Sequence, residues 1–144
     1  MTKVLCIGYY DKFSRFFLAL NKRHKEANIE NTLQIQSTYL SGFIYNSLRF
    51  KTSSWISMNA SIKAKINKKK YQKYLENGIY KEVNFNQLIL SDSTNKINLK
   101  YQAMAYIDIL EKKLHGVNIL ILIGDLRLPF EIAKEIAYRN SIKI

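Results

Sequence analysis

The run Val117-Asn118-Ile119-Leu120-Ile121-Leu122-Ile123-Gly124 restricts the fold of this chain more than any other segment. Successive side chains of a strand point to opposite faces. Here both sets are apolar, so both faces must be covered. Strands of this kind sit in the centre of a parallel sheet with helices packed on it. A shorter apolar run, residues 3–8, ends at Gly8 and reads as a first strand. After it, Phe13, Phe16, Phe17 and Leu20 recur at helical spacing, with Lys12, Arg15, Lys22 and Lys25 on the outer face. Residues 33–38 alternate as a second strand. A strand-helix-strand unit of this length pairs in parallel through a right-handed crossover.

The middle of the chain is less regular. Residues 39–50 can form a helix, and 51–54 read as a break. Residues 57–78 read as a basic helical stretch with Gly78 as its C-cap. Residues 79–98 show no convincing period, and Ser91-Asp92-Ser93-Thr94-Asn95 marks a loop. Over 101–114 the set Met104, Ile107, Leu110 and Leu114 specifies a helix that ends at His115-Gly116. Pro129 opens another helix, which should bury Phe130, Ala133, Ile136 and Ala137. Ile142-Lys143-Ile144 reads as a strand just beginning, and an α/β chain rarely stops at such an uncovered edge. The expectation is a single α/β domain over residues 1–144, a parallel sheet with helices on both faces, truncated at its C-terminus.

A hydrophobic share of 47% is ample for one core. The lone cysteine, Cys6, excludes an internal disulfide and is expected as a buried thiol, which suits a reducing compartment. No apolar run approaches the roughly 20 residues that span a bilayer, and the first residues contain no signal-peptide h-region. The expected location is the cytoplasm, with a peripheral position at the inner membrane as the variant. The formal charge of +12, from 23 Lys and Arg against 11 Asp and Glu, calls for an anionic partner without choosing one. Lys63, Lys65, Lys68, Lys69, Lys70 and Lys73 occur with no acid before Glu76. This cluster fits a solvated helix face or an anionic membrane surface. It matches no nucleic-acid motif, which makes nucleic acid the less favoured partner.

Several chemistries are excluded. The turn Gly8-Tyr9-Tyr10-Asp11 has one glycine where a dinucleotide fingerprint needs three, and its tyrosines would block close approach of a pyrophosphate. No cofactor is therefore expected. His24 and His115 have no ligand-like spacing, so no metal site is expected either. The segment Gly124-Asp125-Leu126-Arg127 lies where open α/β sheets bind ligands, at the carboxyl end of a strand. Asp125 can equally cap the following helix and pair with Arg127. Leu126 occupies the place where a Gly-Asp-Ser hydrolase carries its serine.

Residues 118–144 resemble the bacterial capsular polysaccharide synthesis and export family, which includes retaining transferases of 3-deoxy-manno-octulosonic acid. The shared features are the apolar strand 119–123, Gly124-Asp125-Leu126-Arg127, the small residues Ala133 and Ala137, and a strand opening at Ile142. Phe16-Phe17-Leu18-Ala19-Leu20 after the first strand is similar to the family's opening helix. The match covers about a third of the chain well. Two departures stand out: Leu128-Pro129-Phe130 replaces the usual polar or aromatic residue after the arginine, and the later Glu-x-Gly and His-Pro segments have no counterpart. The resemblance implies a Rossmann-like fold, the N-terminal, acceptor-side half of a GT-B glycosyltransferase without its C-terminal domain. It implies a nucleotide-sugar donor and a lipid-linked or polysaccharide acceptor as partners, and a fragment inactive by itself. Gly8, Tyr9, Tyr10, Gly124, Asp125 and Arg127 are the ligand-binding candidates. From the charge alone, the competing expectation is a small basic protein without chemistry that binds nucleic acid or an anionic membrane surface.

Overall fold

The computed structural model describes residues 2–8, 16, 19–20, 22–23, 31–37, 40–48, 53–89, 97–123 and 128–144. Four parallel strands form the main sheet: β1 (Thr2–Gly8), β2 (Asn31–Ser37), β3 (Ser53–Trp55) and β6 (Ile119–Ile123), in the order β3-β2-β1-β6. A two-residue-stranded hairpin, β4 (Ile79–Tyr80) and β5 (Val83–Asn84), stands apart from it. The described helices are α1 (Leu40–Ser47), α2 (Ile56–Ile66), α3 (Lys68–Gln72), α4 (Phe85–Ile89), α5 (Ile97–Leu114) and α6 (Leu128–Arg139).

The first and last strong runs of the sequence are neighbours, as expected. Val4 pairs with Ile119 and Gly8 with Ile123, in parallel. The Asn118 side-chain carbonyl fixes this register by accepting the Lys3 N–H at 2.9 Å, while the Asn118 backbone N–H donates to the Lys3 carbonyl. β2 lies on the other side of β1, also parallel. The central position is therefore held by β1, not by β6. On its outer side β6 makes one bridge, Ile119 with Lys143, closed by Leu120 N–H to the Lys143 carbonyl at 2.8 Å. Where a strand was expected to begin at Ile142, the chain makes this single parallel bridge and no strand among the described residues.

Alternation along the strands divides the apolar residues. Leu5, Ile7, Leu120 and Leu122 face a core shared with α2, α5 and α6, while Val4 and Cys6 pack with Ile119, Ile121 and Ile123. Val4 and Cys6 are fully buried, so the second face is covered as well. The helix expected there, from Phe13 onward, falls mostly outside the described residues; Phe16, Ala19, Leu20, Lys22 and Arg23 are helical. α5 is the pillar of the main core. It packs against α2, α3, α4 and α6, which is why six consecutive residues, 103–108, are buried despite the helical period.

Three local expectations change. Residues 51–54 read as a break, yet Ser53–Trp55 forms a strand beside β2; three residues are too short for a periodic signal. The unpatterned stretch 79–98 contains the hairpin and α4, and the loop expected at 91–95 lies outside the described residues. The basic stretch 57–78 is not one helix. Asn67 (φ −102°, ψ 20°) ends α2 by donating its N–H and side-chain amide to the Lys63 carbonyl, and its own carbonyl accepts the Tyr71 N–H of α3. Gly78 does close the segment, with φ +68°.

Candidate functional site

The carboxyl ends of the four strands form one edge, where Gly8 aligns with Ile123 on one side and Ser37 on the other, and Ser37 with Trp55. The order in which strands are added reverses at β1: the chain passes from β1 to β2 on one flank and returns to β6 on the other. Open parallel sheets bind ligands at this kind of switch point, outside the carboxyl ends. Gly8 is buried there and Ser37 is 1% exposed. The other ligand candidates, Tyr9, Tyr10, Gly124, Asp125 and Arg127, lie outside the described residues. In sequence they directly follow the paired ends Gly8 and Ile123. α6 starts five positions after Ile123, and the acid in its first turn, Glu131, is held by Lys134 at 2.8 Å.

The lysine cluster does not act as a single face. Consecutive residues of a helix point about 100° apart, and the joint at Asn67 turns the chain between Lys65 and Lys68. Lys68 lies 5.8 Å from the centre of the Tyr101 ring. Lys70 reaches the opposite way, to 3.8 Å from Asp108 and over the rings of Tyr71 and Tyr80. Lys63, Lys65, Lys69 and Lys73 have no ion pair among the described residues. Lys65 and Lys68 border a shallow groove of about 410 Å³ with Ser61, Asn98, Tyr101 and Gln102.

The most highly organised polar group was not anticipated from the sequence. Asp108 is 3% exposed within α5. Tyr71 donates to its Oδ2 at 2.6 Å, Tyr80 donates to Oδ1 at 2.9 Å, and Lys81 Nζ lies 2.8 Å from Oδ1. Lys81 also pairs with Glu111 at 2.9 Å. Burial pushes the Asp108 carboxyl upward, but hydrogen bonds from Lys81, Tyr71 and Tyr80 together outweigh it and hold the group below the usual carboxylate value. Burial, with the bond to Asp108, pushes the Tyr71 phenol up. Bonds to Asp108 and Glu111 raise Lys81. Three short contacts and near-complete burial leave this carboxylate engaged within the protein. Its effect is to tie α3, the hairpin and α5 together. One signal for it existed: Asp108 falls on the stripe of Tyr101 and Met104, where an acid has no reason to be unless it is paired.

The hairpin turn carries strain into this cluster. Lys81 (φ 47°) and Glu82 (φ 70°) both adopt left-handed backbone without being glycine. Arg139 braces the turn by donating to the Lys81 and Glu82 carbonyls, and is itself paired with Glu135 at 3.0 Å. A cleft of about 590 Å³ opens beside Lys81, Glu111, His115, Asn118 and Arg139. It lies at the amino end of β6, away from the switch point, and its strongest cations are already paired. Among the described residues, no group of three or more His, Cys, Asp and Glu could hold a metal ion. No helix among them is long and apolar enough to cross a membrane. No protein-family model matches this chain, and no curated protein or solved structure matches it either.

Proposed function

We propose that this chain is the Rossmann-like, acceptor-side half of a capsule-type glycosyltransferase, taking an anionic saccharide at the carboxyl edge between β1 and β6. The observation that supports this reading best is the parallel register that sets Gly8 beside Ile123. It makes the two sequence segments with ligand-binding character, Gly8-Tyr9-Tyr10 and Gly124-Asp125-Leu126-Arg127, emerge from adjacent strand ends. Numbering the sheet strands by their order in the chain gives 3-2-1-4, with Lys143 opening a fifth position beyond the fourth. That is the order of a dinucleotide-type α/β half, in which the crevice at the reversal holds the ligand. In this reading Arg127 neutralises a sugar carboxylate or phosphate through its planar fork, Asp125 accepts from sugar hydroxyls, and Tyr9 and Tyr10 stack against the ring.

The test is backbone-amide NMR during titration with the methyl glycoside of 3-deoxy-manno-octulosonic acid. The expected shifts centre on Gly8, Ser37 and Ile123 and disappear in Arg127→Ala, which should keep the wild-type melting temperature. Shifts confined to the groove beside Lys65 and Lys68, or none up to saturating sugar, would overturn the reading.

A further inference from the structure

α2 is apolar on two opposite faces. Ile56, Ala60 and Ala64 are buried, and the helix packs against α5. Met58, Ile62 and Ile66 lie two positions later, about 200° around the axis, and are 38%, 50% and 76% exposed. Helices apolar all round are found in interiors or membranes, not with one full stripe in water. Lys63 and Lys65 flank the stripe on its two shoulders, neither with an ion pair among the described residues. There is no acid anywhere in α2 or α3.

We infer that this outer face of α2 is a docking surface for an anionic lipid membrane, with Met58, Ile62 and Ile66 entering the headgroup–acyl boundary and the lysines resting on lipid phosphates. The inference is independent of the ligand proposed at the sheet edge. Charge decides the occupant. A second copy of this chain would bring the same unpaired lysines against themselves, and like charges oppose such a two-fold contact. Single-stranded nucleic acid would satisfy the lysines, but it is gripped by stacking on aromatic rings, and this stripe is aliphatic. An anionic bilayer satisfies both features, with lysine stems lying on apolar surface and their ammonium groups at the phosphates. Leu40, Ile44 and Leu48 repeat the same exposed spacing on and just after α1. They have no lysine among them, so the charge argument does not extend to α1.

The experiment is co-sedimentation with vesicles of phosphatidylcholine, either pure or mixed with one-third phosphatidylglycerol. Binding is expected only to the mixed vesicles. Each lysine beside an anionic leaflet accounts for about fivefold in affinity, so Lys65→Glu should weaken binding at least about fivefold. Ile62→Ser with Ile66→Ser should weaken it about tenfold and should remove the part that survives raised salt, since screening acts on the lysines alone. All three positions are exposed at the surface, so circular dichroism and melting should match wild type. Failure of the wild type to bind mixed vesicles at low salt would overturn the inference. So would unchanged binding by the isoleucine variant, which would reduce the segment to solvated lysines, or a wild-type dimer that Ile62→Ser dissociates.

Discussion

Tyr71 donates a 2.6 Å hydrogen bond to Asp108, 37 positions further along the chain, and both side chains are buried. This contact fastens the basic segment to the central helix, with Tyr80 and Lys81 completing the shell around the carboxylate. Removing the charge strands its donors. Asp108→Asn is expected to cost about 3 kcal/mol, since a buried pair broken on one side leaves an uncompensated partner, with some relief because Lys81 is partly exposed. Tyr71→Phe should cost about 2 kcal/mol, the range for a hydrogen bond to a charged group. Urea midpoints at constant slope measure both.

The same carboxylate sets the acid limb of stability. Its folded value is held below the ordinary 3.8. The stabilisation is therefore complete above that ordinary value and is lost as pH falls through the depressed folded value. Wild type should lose stability steeply below about pH 4, and Asp108→Asn should show a flatter acid limb on a lower neutral plateau. An equally steep limb in the variant would assign acid unfolding to other groups.

At high pH the buried thiol contributes. Burial pushes Cys6 from 9.0 to about 12. A group raised on folding contributes stability that is complete below its unfolded value and is lost as pH rises through the folded one. Stability should thus fall from pH 9.0 towards about 12, by up to about 1.4 kcal/mol per pH unit for this group. Tyr71 and Lys81 are raised and act in the same direction. Cys6→Ala should be less stable at neutral pH yet decline more gently between pH 9 and 11, as followed by urea titration at each pH.

The strained hairpin makes a stabilising substitution available. Glu82 holds φ 70°, and its side chain is 89% exposed, only 3.8 Å at best from Arg139. Glu82→Gly removes the left-handed penalty of about 1 kcal/mol and should raise the melting temperature by about 3 °C. A lower melting temperature would mean that the Glu82–Arg139 pair outweighs the backbone strain.

Gly78 is the opposite case. With φ +68°, an added Cβ would overlap the Asn86 side chain. Gly78→Ala should cost about 2 kcal/mol or more. Adding Asn86→Ala should recover only the steric part, so the double variant should melt between the single variant and wild type.

Local pattern carried the elements that bury a regular set of side chains. The runs at residues 3–8 and 117–123, the stripe Met104, Ile107, Leu110 and Leu114, and the set Phe130, Ala133, Ile136 and Ala137 all lie where their periodicity placed them, because each residue's burial follows from its own type and spacing. The single parallel bridge at Lys143 falls where the sequence placed the opening of a strand. Partner choice was not. Which strand occupies the middle of the sheet, that Ser53–Trp55 pairs with β2, and that Lys70 and Lys81 are drawn onto Asp108 depend on segments far apart in the chain. A row of lysines has the same appearance in the sequence whether its charges face solvent, a ring or a buried acid. Only the packed arrangement of α2, α3, the hairpin and α5 separates those cases, by deciding which charges keep water and which exchange it for a carboxylate.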